Sequence, residues 1–225
     1  MGDETTELGV SAADINISFP LNSVMTQEDD FSKELVQPKL FSEDEIAEFR
    51  KKGYLVFQSK GEVLSEELLD KFVRPFMRPD EADFVGKQKT ICGYLVVPPK
   101  IYLPKSEYKT YDEASNLLHV QSEEIQRQFP NSTLRMGEIV DLILIEDMFQ
   151  KEHDGKSLFG DEYIRSMTFF DINKSKNLID EKRTEKEIDA DQRNLIFIPS
   201  AKIVENWHPD ATAEHLRAVG IIVPQ

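Results

Sequence analysis

Phe41-Ser42-Glu43-Asp44-Glu45-Ile46-Ala47-Glu48-Phe49-Arg50-Lys51-Lys52-Gly53-Tyr54-Leu55-Val56-Phe57 is the stretch whose reading decides how this chain is organised. Ser42 followed three residues later by Glu45 is a capping box: the hydroxyl accepts from the Glu45 amide, and the Glu45 carboxylate reaches back to the amide of Ser42. Phe41 before the cap and Ile46 after it have the spacing of a hydrophobic staple. Ile46 and Phe49 fall on one helical face, and Gly53 supplies the left-handed residue on which helices end. Tyr54-Leu55-Val56-Phe57 is rich in β-formers and predicts a strand. Order is therefore expected to begin at Phe41, as a short helix leading into a sheet.

Upstream the composition changes. Residues 1–40 carry eight acids (Asp3, Glu4, Glu7, Asp14, Glu28, Asp29, Asp30, Glu34) against two lysines, with sparse apolar residues, and predict an acidic extended arm. Downstream, Ser65-Glu66-Glu67 opens a second helix, with Leu68, Leu69, Phe72 and Val73 on its apolar face and Pro75 ending it. Residues 74–80 read as loop, and 90–97 as a strand stopped by Pro98-Pro99. Residues 111–119 and 122–128 read as short helices or one broken helix. Glu138–Ile145 reads as a buried strand and Ser166–Ile172 as another. The uninterrupted apolar runs Leu195–Ile198 and Val219–Val223 read as central strands. Asp180–Asp191 is a mixed charge run, expected to be a solvated helix or loop. The order predicts an α+β fold. Short N-terminal helices precede a jelly-roll-like (double-stranded β-helix) sheet sandwich, in one domain over 41–225.

The 225 residues hold 27 Lys and Arg against 42 Asp and Glu, a net charge of −15. A surface of that sign repels a nucleic-acid backbone and an anionic bilayer. No window approaches the ~18 apolar residues of a membrane span. The N-terminal stretch has neither the basic nor the apolar segment of a secretory signal. Cys92 is the single cysteine. It is expected to be a small buried hydrophobe beside Gly93, and one thiol suits a reducing, intracellular compartment. The phosphate-binding G-x-x-x-x-G-K-[ST], the G-x-S-x-G elbow and H-E-x-x-H are all missing from the chain.

Four histidines remain: His119, His153, His208 and His215. A non-haem iron site needs two imidazoles and a carboxylate on one face of the metal. His208-Pro209-Asp210 has the H-x-D form, but only His215 follows, five residues past Asp210. His153-Asp154 lies 55 residues before His208, with the acid one position on. His119-Val120-Gln121 lies 89 residues before His208, with an amide in place of the acid.

Leu40-Phe41-Ser42-Glu43-Asp44-Glu45-Ile46 through Phe49-Arg50-Lys51-Lys52-Gly53-Tyr54-Leu55-Val56 resembles the opening helix and strand of phytanoyl-CoA dioxygenase-like proteins. Asn194-Leu195-Ile196-Phe197-Ile198-Pro199-Ser200, then Trp207-His208-Pro209 and Arg217, resembles the closing segment of the wider iron- and 2-oxoglutarate-dependent oxygenases. The resemblance covers about 50 of the 225 residues, at the two ends, and the H-x-D strand of the middle has no counterpart. It implies a double-stranded β-helix holding Fe(II) and 2-oxoglutarate. His208 would be the distal ligand, His119 or His153 the proximal one, and Arg217 the anchor of the co-substrate carboxylate.

Since no catalytic set is intact in the sequence, the first expectation is a non-catalytic structural or interaction protein. It would be an assembly or partner-binding subunit, such as one of a virion or other large particle, with a protein partner or self-assembly. The alternative is an iron/2-oxoglutarate-dependent oxygenase or an inactive relative.

Overall fold

The computed structural model describes residues 40–75, 77–171 and 192–225. The acidic arm over 1–39 and the charge run over 180–191 lie outside the described residues. The capping box forms as read: Glu45 Oε2 accepts from the Ser42 amide at 2.8 Å, and the Ser42 hydroxyl accepts from the Glu45 amide at 3.3 Å. It starts helix α1 (Glu43–Lys51), Gly53 follows at φ +81°, and strand β1 (Leu55–Lys60) begins two residues later. After β1 come α2 (Glu66–Phe72), α3 (Pro79–Gly86), β2 (Cys92–Val97), α4 (Tyr111–Gln128), β3 (Ser132–Met136), α5 (Ile139–Glu152) and β4 (Tyr163–Asp171). The described residues end with β5 (Gln192–Ile198), β6 (Ile203–Trp207), β7 (Leu216–Ala218) and β8 (Gly220–Pro224). The expected α+β class holds. No helix among the described residues is long and apolar enough to cross a membrane.

The strands form two four-stranded sheets, ordered β1-β2-β8-β3 and β6-β5-β4-β7. The first is antiparallel throughout, while in the second β4 and β7 run parallel. Each uninterrupted apolar run occupies an interior position, because both of its faces are covered. On β2 and β8, Leu95, Val97 and Ile221 enter one core and Val96 and Ile222 another. On β5, Leu195 and Phe197 face the large core, while Ile196 and Ile198 pack with Leu216 on the other side. A strand covered on one face alternates apolar with polar; covered on both, it loses the alternation. The smaller core of the first sheet is closed by α1 and α4. There Phe49 stacks on Phe129 at 4.0 Å and meets Phe41 and Tyr54 edge-on.

The large core centres on α5, and here the sequence reading is corrected. Glu138–Ile145, expected as a strand, enters a helix buried on every side: Ile139, Val140, Leu142, Ile143 and Ile145 are fully inaccessible. A buried helix is apolar all round, so its composition matches that of a buried strand. The signal that would have separated them is a local cap, and α5 has none of its own. Its first amide, Ile139 N–H, donates to Thr168 Oγ1 on β4 at 2.9 Å, and that hydroxyl donates to Glu138 Oε2 at 2.8 Å. The cap is tertiary, contributed 29 residues downstream. Further corrections are smaller. The loop over 74–80 ends at Pro79, which starts α3 as its first residue. The two short helices are one, α4. Strands β3, β6 and β7 had not been anticipated. Cys92 is exposed, where it opens β2 opposite Lys60, the last residue of β1.

Three acids on α5 are buried, each with a structural task. Glu146 Oε2 accepts from the amides of Leu158 and Phe159 at 3.0 and 3.4 Å. Asp147 holds Lys71 and Lys151 at 2.9 and 2.6 Å, and these cations keep its carboxyl below the ordinary range despite burial. Asp141 Oδ1 accepts from Ile91 N–H at 2.8 Å, while Oδ2 has no hydrogen-bond partner. Burial pushes the Asp141 carboxyl up to about 6, against the pull of the Ile91 amide and the Arg135 charge.

The folded state therefore binds the Asp141 proton more tightly than the unfolded chain does. This group removes stability as pH rises from about 4 to about 6, and the loss is complete above that window. Asp141→Asn cannot titrate, so its stability minus that of wild type should rise by about 2–3 kcal/mol between pH 4 and pH 7 in urea titrations; a constant difference would refute the assignment. Thr168→Val, which removes the tertiary cap at constant shape, should cost about 1–2 kcal/mol in the same measurement.

Candidate interaction surface

The segments over 103–111 and 208–217 come together at the β7 side of the second sheet, and they contain two residues singled out from the sequence, His208 and Arg217. Backbone bonds tie them: Tyr108 N–H to Ala213 O at 3.2 Å, Tyr111 N–H to Pro209 O at 3.0 Å and Leu103 N–H to Ala218 O at 2.9 Å. The buried Ser106 hydroxyl accepts from Ala218 N–H at 3.2 Å.

Arg165 fastens this assembly from below. It is the bulkiest fully buried side chain among the described residues, 1% exposed, and no carboxylate among those residues forms an ion pair with it. Its fork is filled by carbonyl oxygens instead. Nη1 donates to Asn194 Oδ1 at 3.3 Å and Pro209 O at 3.2 Å; Nη2 donates to Lys109 O at 3.1 Å and Ala211 O at 2.6 Å. Burial lowers its guanidinium to about 10, still protonated at neutral pH. Asn194 is fixed in turn, its amide donating to Ser166 O at 2.6 Å.

On this base the loop presents Tyr108, 57% exposed and held at φ +55°. A bulky residue in the left-handed region is a conformational outlier that persists only where surrounding bonds over-determine it. Its hydroxyl hydrogen-bonds Glu214. Beside it Arg217 is clamped between Glu107 at 3.0 Å and Glu162, which it reaches through Nε at 3.2 Å and Nη2 at 3.4 Å. His215 lies 3.8 Å from Glu162. His208 is half-exposed, its Nδ1 accepting from Asp210 N–H at 3.2 Å.

The other two histidines are elsewhere. His119 is exposed on α4, and His153 caps α5, stacked on Phe149 at 3.9 Å. The structure thus places His119, His153 and His208 on three separate elements. Among the described residues no group of three His, Cys, Asp or Glu side chains is arranged to hold a metal ion. For Arg217 to grip a co-substrate carboxylate it would have to release Glu107 or Glu162. The sequence reading missed Tyr108, Glu107, Glu162 and Arg165. Of these only Arg165 carried a signal, as a lone cation inside the apolar strand Tyr163-Ile164-Arg165-Ser166-Met167.

Comparison of the chain with protein-family models, curated proteins and solved structures finds no match.

Arg165→Met removes the guanidinium from four carbonyl oxygens, of which Pro209 O alone keeps another donor among those named, the Tyr111 amide, and should cost about 3–5 kcal/mol in chemical denaturation. Arg165→Lys keeps the charge but not the planar fork, and should recover less than half of that loss.

Proposed function

We propose that this protein is a non-catalytic interaction subunit whose surface around Tyr108 receives a basic segment of a protein partner. The observation that carries the reading is Tyr108 itself, an exposed aromatic kept in a costly backbone conformation by a loop braced from the core. Strain of this kind is retained where it serves a function, and tyrosine is among the side chains that anchor protein interfaces. Glu214 beside it, in a chain of net charge −15, sets the sign of the partner, while Glu107 and Glu162 hold Arg217. A lysine or arginine can lie over the phenol ring and meet Glu214 at once. Nucleic acid and anionic membrane are disfavoured as partners by the same charge.

A jelly-roll-like arrangement belongs to this reading as well. Support comes from two four-stranded sheets contributing to one core; the parallel β4–β7 pair and the buried α5 depart from that pattern.

The test uses an arginine-rich peptide, titrated against the full chain by fluorescence anisotropy at low and high salt. Binding should weaken steeply with salt, and Tyr108→Gly should reduce affinity by about tenfold. The same substitution relieves the positive φ and should raise stability by about 0.5–1 kcal/mol. Equal peptide affinity in the variant and the parent would reject the surface.

A further inference from the structure

A second feature lies at β3 and shares only Tyr111 with the segments that carry the Tyr108 surface. Arg135 lies on β3, an edge strand of the first sheet, and makes no hydrogen bond or ion pair among the described residues. Its Nε is shut off from solvent without an acceptor. Asp141 feels the Arg135 charge through space, yet the two form no ion pair. Beside Arg135 opens a crevice of about 250 Å³ between α4, β3 and β4, lined by Tyr111, Ser115, His119 and Met167 among others. Its polar groups are a guanidinium, an imidazole and hydroxyls. In a chain with 42 acids, no Asp or Glu is among the described residues that line it. The carboxylates that act on its lining do so through space: Glu138 and Asp112 on Tyr111, and Asp141 with Arg135.

A guanidinium with no acceptor among the described residues can take its acceptors from a bound oxyanion. We propose that this crevice binds a small oxyanion, with Arg135 gripping two of its oxygens, the Ser115 or Tyr111 hydroxyl donating to a third, and His119 at the rim. The planar fork of arginine matches the paired oxygens of a phosphate group or a carboxylate. The crevice is smaller than the sites that take drug-sized molecules, ~300–1,000 Å³, which limits the ligand to a small ion or the anionic end of a longer one. Among the described residues β3 is the last strand of its sheet, on the side from which such an end would enter.

Titration calorimetry of the full chain with sodium phosphate, and separately with sodium acetate, tests this at ionic strength held constant with sodium chloride. Saturable one-site binding of at least one of the two is expected, and which of them binds more tightly identifies the oxyanion. Arg135→Gln should weaken that binding about tenfold or more, the loss of one charge-assisted pair of hydrogen bonds. His119→Gln, at an exposed helical position, should fold as the parent does and weaken binding about threefold. No saturable heat with either ion overturns the proposal, as does unchanged affinity in Arg135→Gln. If Arg135→Gln does not fold, unchanged affinity in His119→Gln overturns it instead.

Discussion

A cation with no counter-ion among the described residues holds the loop side of this protein together. Arg165 is buried on β4, and its charge is balanced only by the negative ends of carbonyl dipoles drawn from two loops and one neighbouring strand. Removing a guanidinium from water is expensive, and each oxygen it meets in the interior offsets part of that cost. The geometry is therefore tightly constrained, because a fork with fixed angles accepts the backbone at Lys109, Pro209 and Ala211 in one arrangement only. Everything outward of it inherits that order: the bonds between Tyr108 and Ala213 and between Tyr111 and Pro209, and the left-handed tyrosine they hold up.

How much of this could be read beforehand depended on whether the cause was local. The start of α1 was legible to the residue, since Ser42 and Glu45 cap the helix within three positions and Phe41, Ile46 and Phe49 bury as their spacing requires. The centrality of β5 and β8 was legible too, because burial on both faces leaves an unbroken apolar run. Helix α5 was not, for its cap is Thr168 and its apolar periphery erases the 3.6-residue rhythm. Of the candidate site, His208 and Arg217 were brought to the right region. The reason the region matters was hidden: Arg217's partners Glu107 and Glu162 are far away in sequence, and the strain at Tyr108 has no sequence signature.

The acids divide into two populations with opposite uses. A few are internal fasteners: Glu146 caps the turn at Leu158 and Phe159, Asp147 gathers two lysines, and Glu81 joins Arg78 to Asn206. Their energies depend on partners fixed in the core and respond little to salt. The majority lie outside and set the field a partner meets first. Against that field, the Arg135 crevice is a local exception in sign among the described residues.

The order of the first sheet carries a kinetic consequence. Strand β8 sits between β2 and β3, so the β1–β2 hairpin and β3 are joined only through a strand that begins 220 − 136 = 84 residues after β3 ends. During synthesis the early hairpin and the helices packed on it must wait, with one sheet border unfilled, while that intervening chain is made. Pairings so distant in sequence slow the search for the native topology and lengthen the exposure of sticky borders. A nascent chain of this design is most in need of chaperone shelter just before the ribosome delivers Gly220–Pro224.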